Sequence, residues 1–91
     1  MAHAVVMHVK LRQDRTPEEA DKMLKEIVVP ISKSLAGFQS GTWLHDGKNN
    51  GMGVIVFATA EDAEAARDAL KPPPGGPELV SSAVHLVAAQ A

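Results

Sequence analysis

Ninety-one residues supply material for one domain, and fractions of 45% hydrophobic and 22% charged lie inside the globular range, away from the signature of disorder. A formal net charge of -2 with scattered Lys and Arg excludes a phosphate-neutralising stripe, so no nucleic-acid partner is expected. The absence of cysteine excludes disulfides, thiolate metal sites and cysteine nucleophiles, and suits a reducing compartment. The apolar run from Val54 to Ala58 falls far short of the roughly 18 residues of a membrane span. The start, Met1 to Ala4, lacks a basic segment followed by a long apolar one. A cytoplasmic protein with no membrane partner is therefore expected.

In chain order, Ala4 to Leu11 alternates, with Val5, Met7, Val9 and Leu11 on one face and Ala4, Val6, His8 and Lys10 on the other, which predicts a strand. Thr16-Pro17-Glu18-Glu19 combines a capping hydroxyl, proline at the first helical position and glutamate three residues after the cap. The three-and-four spacing of Ala20, Met23, Leu24, Ile27, Val28, Ile31 and Leu35 carries this helix to about Ser34. Pro30 lies inside it without an N–H for the Glu26 carbonyl, so a kink or loosened turn is expected, and Gly37 supplies the stop. Phe38 to His45 alternates again. Asp46 to Gly51 offers two turn-forming dipeptides before Met52 to Ala58 resumes an apolar run, which reads as a hairpin. Thr59 caps a short alanine-rich helix whose stripe is Ala63, Ala66, Ala69 and Leu70. Pro72 to Pro77 reads as a stiff extended connector, and Ser82 to Ala89 as a last, mostly apolar strand.

Strand, helix, strand, strand, helix, strand is the α+β, ferredoxin-like split βαβ (βαββαβ) pattern, whose right-handed crossovers give an antiparallel sheet of order 4-1-3-2 with both helices on one face. Strands one, three and four are apolar on both faces, as in a sheet covered twice. Fourteen alanines leave 27 larger apolar side chains, in a size range where only roughly 60% of the chain's surface is buried. A second copy of the same sheet is the simplest cover, because a two-fold interface needs only a self-complementary patch, so a homodimer is expected.

Specific motifs narrow this reading. Glu26-Ile27-Val28-Val29-Pro30, Ala36-Gly37-Phe38, Thr42-Trp43-Leu44, Val54-Ile55-Val56-Phe57 and Ala60-Glu61-Asp62-Ala63 follow one another in the expected order. On these residues the chain resembles the dimeric α/β-barrel superfamily, and within it the small antibiotic-biosynthesis-monooxygenase-like proteins. The resemblance implies a dimeric α/β barrel of one domain over residues 1–91 and a superfamily that includes cofactor-free oxygenases, haem-degrading enzymes and isomerases. These are packing motifs, which identify fold better than chemistry. The first strand has no asparagine, the third ends in Phe57 rather than tryptophan, and the second helix lacks the histidine that haem degraders use as an iron ligand. No cofactor is expected.

His8 and His85 stand on strands expected to be antiparallel neighbours, so both imidazoles could project from one face, either as proton-transfer or ligand groups or as packed histidines at a dimer interface. Trp43, Phe38 and Phe57 are the only aromatics other than histidine. Core packing is their default, and Trp43 and Phe57 are the aromatic candidates for contact with a ligand. His3 and His45 read as solvated. Two histidines without a suitably spaced carboxylate or thiolate fall short of a zinc site, so no metal is expected. Gly47, Gly51 and Gly53 do not precede a helix and make no phosphate loop, and no nucleophile elbow or paired-carboxylate motif exists to assign a catalytic residue. Two functions stay open: a cofactor-independent monooxygenase acting on a small aromatic or quinone-like compound, and a non-catalytic dimer that binds a small ligand or serves as a stress-related structural module.

Overall fold

The computed structural model describes residues 1–72 and 76–91. Its elements are β1 (His3–Lys10), α1 (Pro17–Met23), a π-helical turn (Leu24–Val28), α2 (Val29–Ser34), β2 (Phe38–His45), β3 (Asn50–Phe57), α3 (Ala60–Ala69) and β4 (Glu78–Leu86). The four strands form one sheet in the order β2-β3-β1-β4, with every neighbouring pair antiparallel. This is the split βαβ architecture expected from the sequence, 4-1-3-2 being the same order read from the other edge.

The first helical segment begins as its capping box predicts: the Glu19 amide donates to Thr16 Oγ1 at 3.2 Å, with Pro17 next. The strain set by Pro30 is resolved by widening the helix. The Val29 amide donates to the Leu24 carbonyl five residues back, so the turn before proline becomes π-helical and the segment continues as α2. Ser32 is fully buried one turn later, and its hydroxyl donates to the Val28 carbonyl at 2.8 Å. Gly37, at φ +77°, ends the helix in the left-handed region and turns the chain into β2.

Strand alternation divides the sheet into an inner face under the helices and an outer face. Val5 and Met7 of β1 and Ile55 and Phe57 of β3 point inward, and Ala63, Ala66 and Leu70 from the α3 end cover them. The small alanines let α3 lie close to the sheet. Leu35, Phe38, Trp43, Leu79 and Val84 pack around this cluster.

β1 lies one residue earlier than expected, and the starts of β3 and β4 differ by more. β3 starts at Asn50 rather than Met52, since Gly51 and Gly53 lie inside the strand where the turn chemistry of glycine suggested a connection. β4 runs from Glu78 to Leu86 rather than Ser82 to Ala89, because its first residues pair with β1 through a bulge between His8 and Val9. Val80 is the extra residue, 65% exposed, and the bulge turns Leu79 inward to the core. The simple alternation test does not detect such a shift of face. Part of the expected extended connector, residues 73–75, lies outside the described residues. Among the described residues no helix is long and apolar enough to cross a membrane.

Candidate functional site

At one end of the sheet, the inner face of β2 and β3 is built from glycine and tryptophan. Trp43 stands opposite Gly53 across the ladder, and Gly41 lies two residues before it on the same face. A Cβ on Gly41 would stand 2.6 Å from Trp43 Cη2, and one on Gly53 would stand 3.2 Å from Cδ1. Glycine at 41 is what lets the indole lie down on the sheet, and at 53 a side chain would press on it. Gly51 likewise has Val9 and Leu11 side chains over it, with Val9 Cγ2 at 3.0 Å from where a Cβ would be. Missing side chains on three inward positions let Trp43, Val9 and Leu11 settle onto the sheet, and the volume above them stays open.

That volume is a cavity of about 270 Å³ between the sheet and the first helical segment. Met7, Val9, Trp43 and Ile55 line its sheet side, and Met23, Leu24, Ile27, Val28 and Ile31 its helix side. Ile27 and Ile31 are 45% and 46% exposed despite their size, because the space they face is open. The π-helical turn supplies Leu24, Ile27 and Val28, so the device that accommodates Pro30 also shapes this wall. In volume the cavity sits just under the usual range for small-molecule sites, about 300–1,000 Å³, and its mostly apolar lining with a few polar groups is typical of them.

The polar groups gather at the rim. His45 Nε2 is 3.5 Å from Asp21 Oδ1, joining the end of β2 to α1. The Gly47 amide donates to His45 Nδ1 at 3.0 Å, so in the neutral ring the proton sits on Nε2, the nitrogen facing Asp21. Arg15 Nη1 donates to the Met23 sulfur at 2.8 Å. Arg12 donates through Nε and Nη2 to the two carboxylate oxygens of Asp14, at 2.9 and 2.7 Å. That pairing holds the Asp14 carboxyl below the usual carboxylate range and raises Arg12 above its own. Below His45, the hairpin turn is organised by Asp46, which accepts from the Asn50 side chain at 2.9 Å and from the Lys48 and Asn50 amides at 2.8 and 3.2 Å. These bonds, the Asn50 side chain foremost, lower the Asp46 carboxyl.

The four residues singled out from sequence occupy different places. Trp43 is half-buried on the cavity wall. Phe57 is fully buried beyond the cavity, edge-on to Phe38 with ring centroids 6.2 Å apart and planes at 78°. His8 and His85 are both exposed on the outer face, and neither lines the cavity. The strands that carry them are neighbours, but His8 pairs with Ser81 while His85 pairs with Ala4, a separation of four register positions or roughly 13 Å. Strand alternation accounts for this, since His8 lies between the inward Met7 and Val9. His45, read from sequence as solvated, is exposed yet held at the rim by Asp21 and Gly47. Its signal was available, because period two places it on the face of Trp43. Asp21 gave no such signal, since its partner lies on a distant strand. Among the described residues no group of three or more His, Asp or Glu side chains is arranged to hold a metal ion.

No family model and no curated protein matches the chain. Among solved structures, the chain is similar to SnoaB, a cofactor-independent oxygenase from Streptomyces nogalater whose crystal structure was determined as a single-site mutant. The TM-score is 0.69 at 12% identity, over 98% of this chain and 95% of that one. The likeness shows a shared fold.

Proposed function

We propose that the protein is a homodimer, a dimeric α/β barrel, whose inner cavity binds a small aromatic or quinone-like compound and oxygenates it without a cofactor. The observation that carries this reading is the apolar cavity floored by Trp43 lying on Gly41 and Gly53. A flat indole face, kept free by glycine, is a stacking surface for another ring. The likeness in fold to a cofactor-independent oxygenase supports the reaction class.

Such a reaction draws its electrons from the substrate. An electron-rich phenol that loses its proton passes one electron to dioxygen, and the resulting radical pair combines as a hydroperoxide at an activated CH2 carbon. Loss of water then leaves a carbonyl, so one oxygen atom enters the product and the other leaves as water. The Asp21 carboxylate, beside His45 Nε2–H at the cavity rim, is the group to which we assign the phenolic proton, and it returns that proton to the peroxide oxygen as the hydroperoxide forms. The outer face, with Val6, Val54 and Val56 at its centre, is assigned to the second copy, which places His8 and His85 at the subunit interface.

One observation favours a non-catalytic ligand-binding module instead: the polar groups stand at the rim, and the deep walls are apolar. Oxygen uptake above the protein-free rate with electron-rich phenols that carry an activated CH2 carbon, run beside a ligand titration followed by Trp43 fluorescence, separates the two. Saturable quenching with uptake supports the oxygenase. Saturation without uptake leaves binding alone, and failure to saturate with any such compound overturns both.

A further inference from the structure

Beside the apolar cavity lies a second, outer basin of about 490 Å³ that shares Leu11, Arg12, Arg15, Ala20 and His45 with the cavity rim. Its character is opposite. The charged side chains among the described residues that line it are Arg12, Arg15 and Lys48, with no acidic one. Three acids nearby are engaged elsewhere, Asp14 with Arg12, Asp21 with His45, and Asp46 with the hairpin amides and Asn50, while Glu18 and Glu19 follow Pro17 on the first turn of α1. Arg15 has the weakest hydrogen-bond acceptor of these, since its guanidinium donates to the thioether of Met23, which itself lines the inner cavity, and its charge acts on Asp14 without a hydrogen bond between them. A thioether is a poor acceptor, and a carboxylate or phosphate oxygen displaces it readily.

From this arrangement we propose that the ligand of the inner cavity is an amphiphile: an apolar ring body under the helix, and an anionic group on an arm that passes the His45 rim and is held in the basin by Arg15 and Lys48. The inference rests on the reading of the inner cavity as a ligand site and adds the chemical class of the ligand. A planar guanidinium released from sulfur makes two parallel bonds to an anion, whereas Lys48 on the hairpin supplies a point charge. The arrangement selects among aromatic compounds of equal ring size by charge, which the apolar walls alone cannot do.

Calorimetric titration with naphthylethanol, naphthylacetate and naphthyl phosphate tests it, since the three share a ring and differ in the end of the arm. The anionic probes are expected to bind about tenfold more tightly than the alcohol, as charge-assisted hydrogen bonds allow. That advantage, read as the ratio of anion to alcohol affinity within each variant, shrinks several-fold in Arg15→Gln and in high salt. Preference for the acetate identifies a carboxylate ligand, and preference for the phosphate a phosphorylated one. Equal binding of alcohol and anions by the wild type overturns the proposal and leaves the cavity reading standing, as does an Arg15→Gln variant that weakens all three alike. If none of the probes binds, the cavity reading fails and the proposal with it.

Discussion

The two ends of the inner sheet face are built from the same strands and differ in what β3 contributes. At the closed end β3 carries Ile55 and Phe57, both fully buried, and α3 presents alanines that bring it down onto them. At the open end β3 carries Gly51 and Gly53, and the helix above it presents Ile27 and Ile31 to empty space. One strand thus stabilises the fold at one end and leaves room for a ligand at the other. The period of two keeps these four residues on one face, so the division is set by side-chain size alone.

The largest expected effect tests the closed end. Phe57→Ala removes a fully buried ring with an edge-on partner, and chemical denaturation is expected to show a loss of about 3 to 5 kcal/mol. A loss below about 1 kcal/mol would mean that this end is not the core. Trp43→Ala sits at the boundary between the two ends. Because the indole is only half-buried, the expected loss is smaller, about 2 kcal/mol, and it comes with loss of aromatic ligand binding. A full Phe57-like loss would make Trp43 a core residue instead.

Gly53→Val sharpens the comparison from the other side. The added methyls press on Trp43 Cδ1 and Ile55 Cδ1, at 3.2 and 3.3 Å from the nearest Cβ position, and occupy the cavity. A stability change of about 1 to 2 kcal/mol is expected from overpacking, together with a large drop in ligand affinity. Unchanged affinity would place the ligand elsewhere. The smallest effect is one of pH. Asp46 is lowered in the folded protein by its Asn50, Lys48 and backbone hydrogen bonds, so its contribution to the hairpin is present above the ordinary carboxylate range. It is lost as pH falls through the depressed value. Protection of the Lys48 and Asn50 amides, referred to the intrinsic exchange rate at each pH, should fall in acid, and Asp46→Asn should remove part of that dependence.

The order of elements, the capping residues and the antiparallel sheet were legible in the sequence because they depend on local periodicity and on Thr16, Pro17, Gly37 and Thr59. The beginning of β3 was obscured by Gly51, whose turn preference is overridden when neighbouring strands pair around it and Val9 and Leu11 close over it. The beginning of β4 was hidden by the bulge at Val80, which breaks the alternation used to find strands. Pro30 announced a disturbance, but its form as a π-helical turn depends on the carbonyl of Leu24 finding the Val29 amide. Of the site, Trp43 was legible as the chain's only indole. The pairing of His45 with Asp21 and the gathering of Arg15 and Lys48 around one basin come from tertiary placement of α1 against the hairpin, which spacing along the chain does not encode.

The central claim is that the open end of the sheet, and not its outer face, receives a ring. Two-dimensional amide NMR during titration with naphthylacetate measures this directly. Saturable shifts are predicted for the Trp43 indole N–H and the amides of Gly51, Gly53 and Ile27, with Phe57, Ala63 and His85 unmoved. Shifts centred on His8 and His85, or a response that never saturates, would contradict the account.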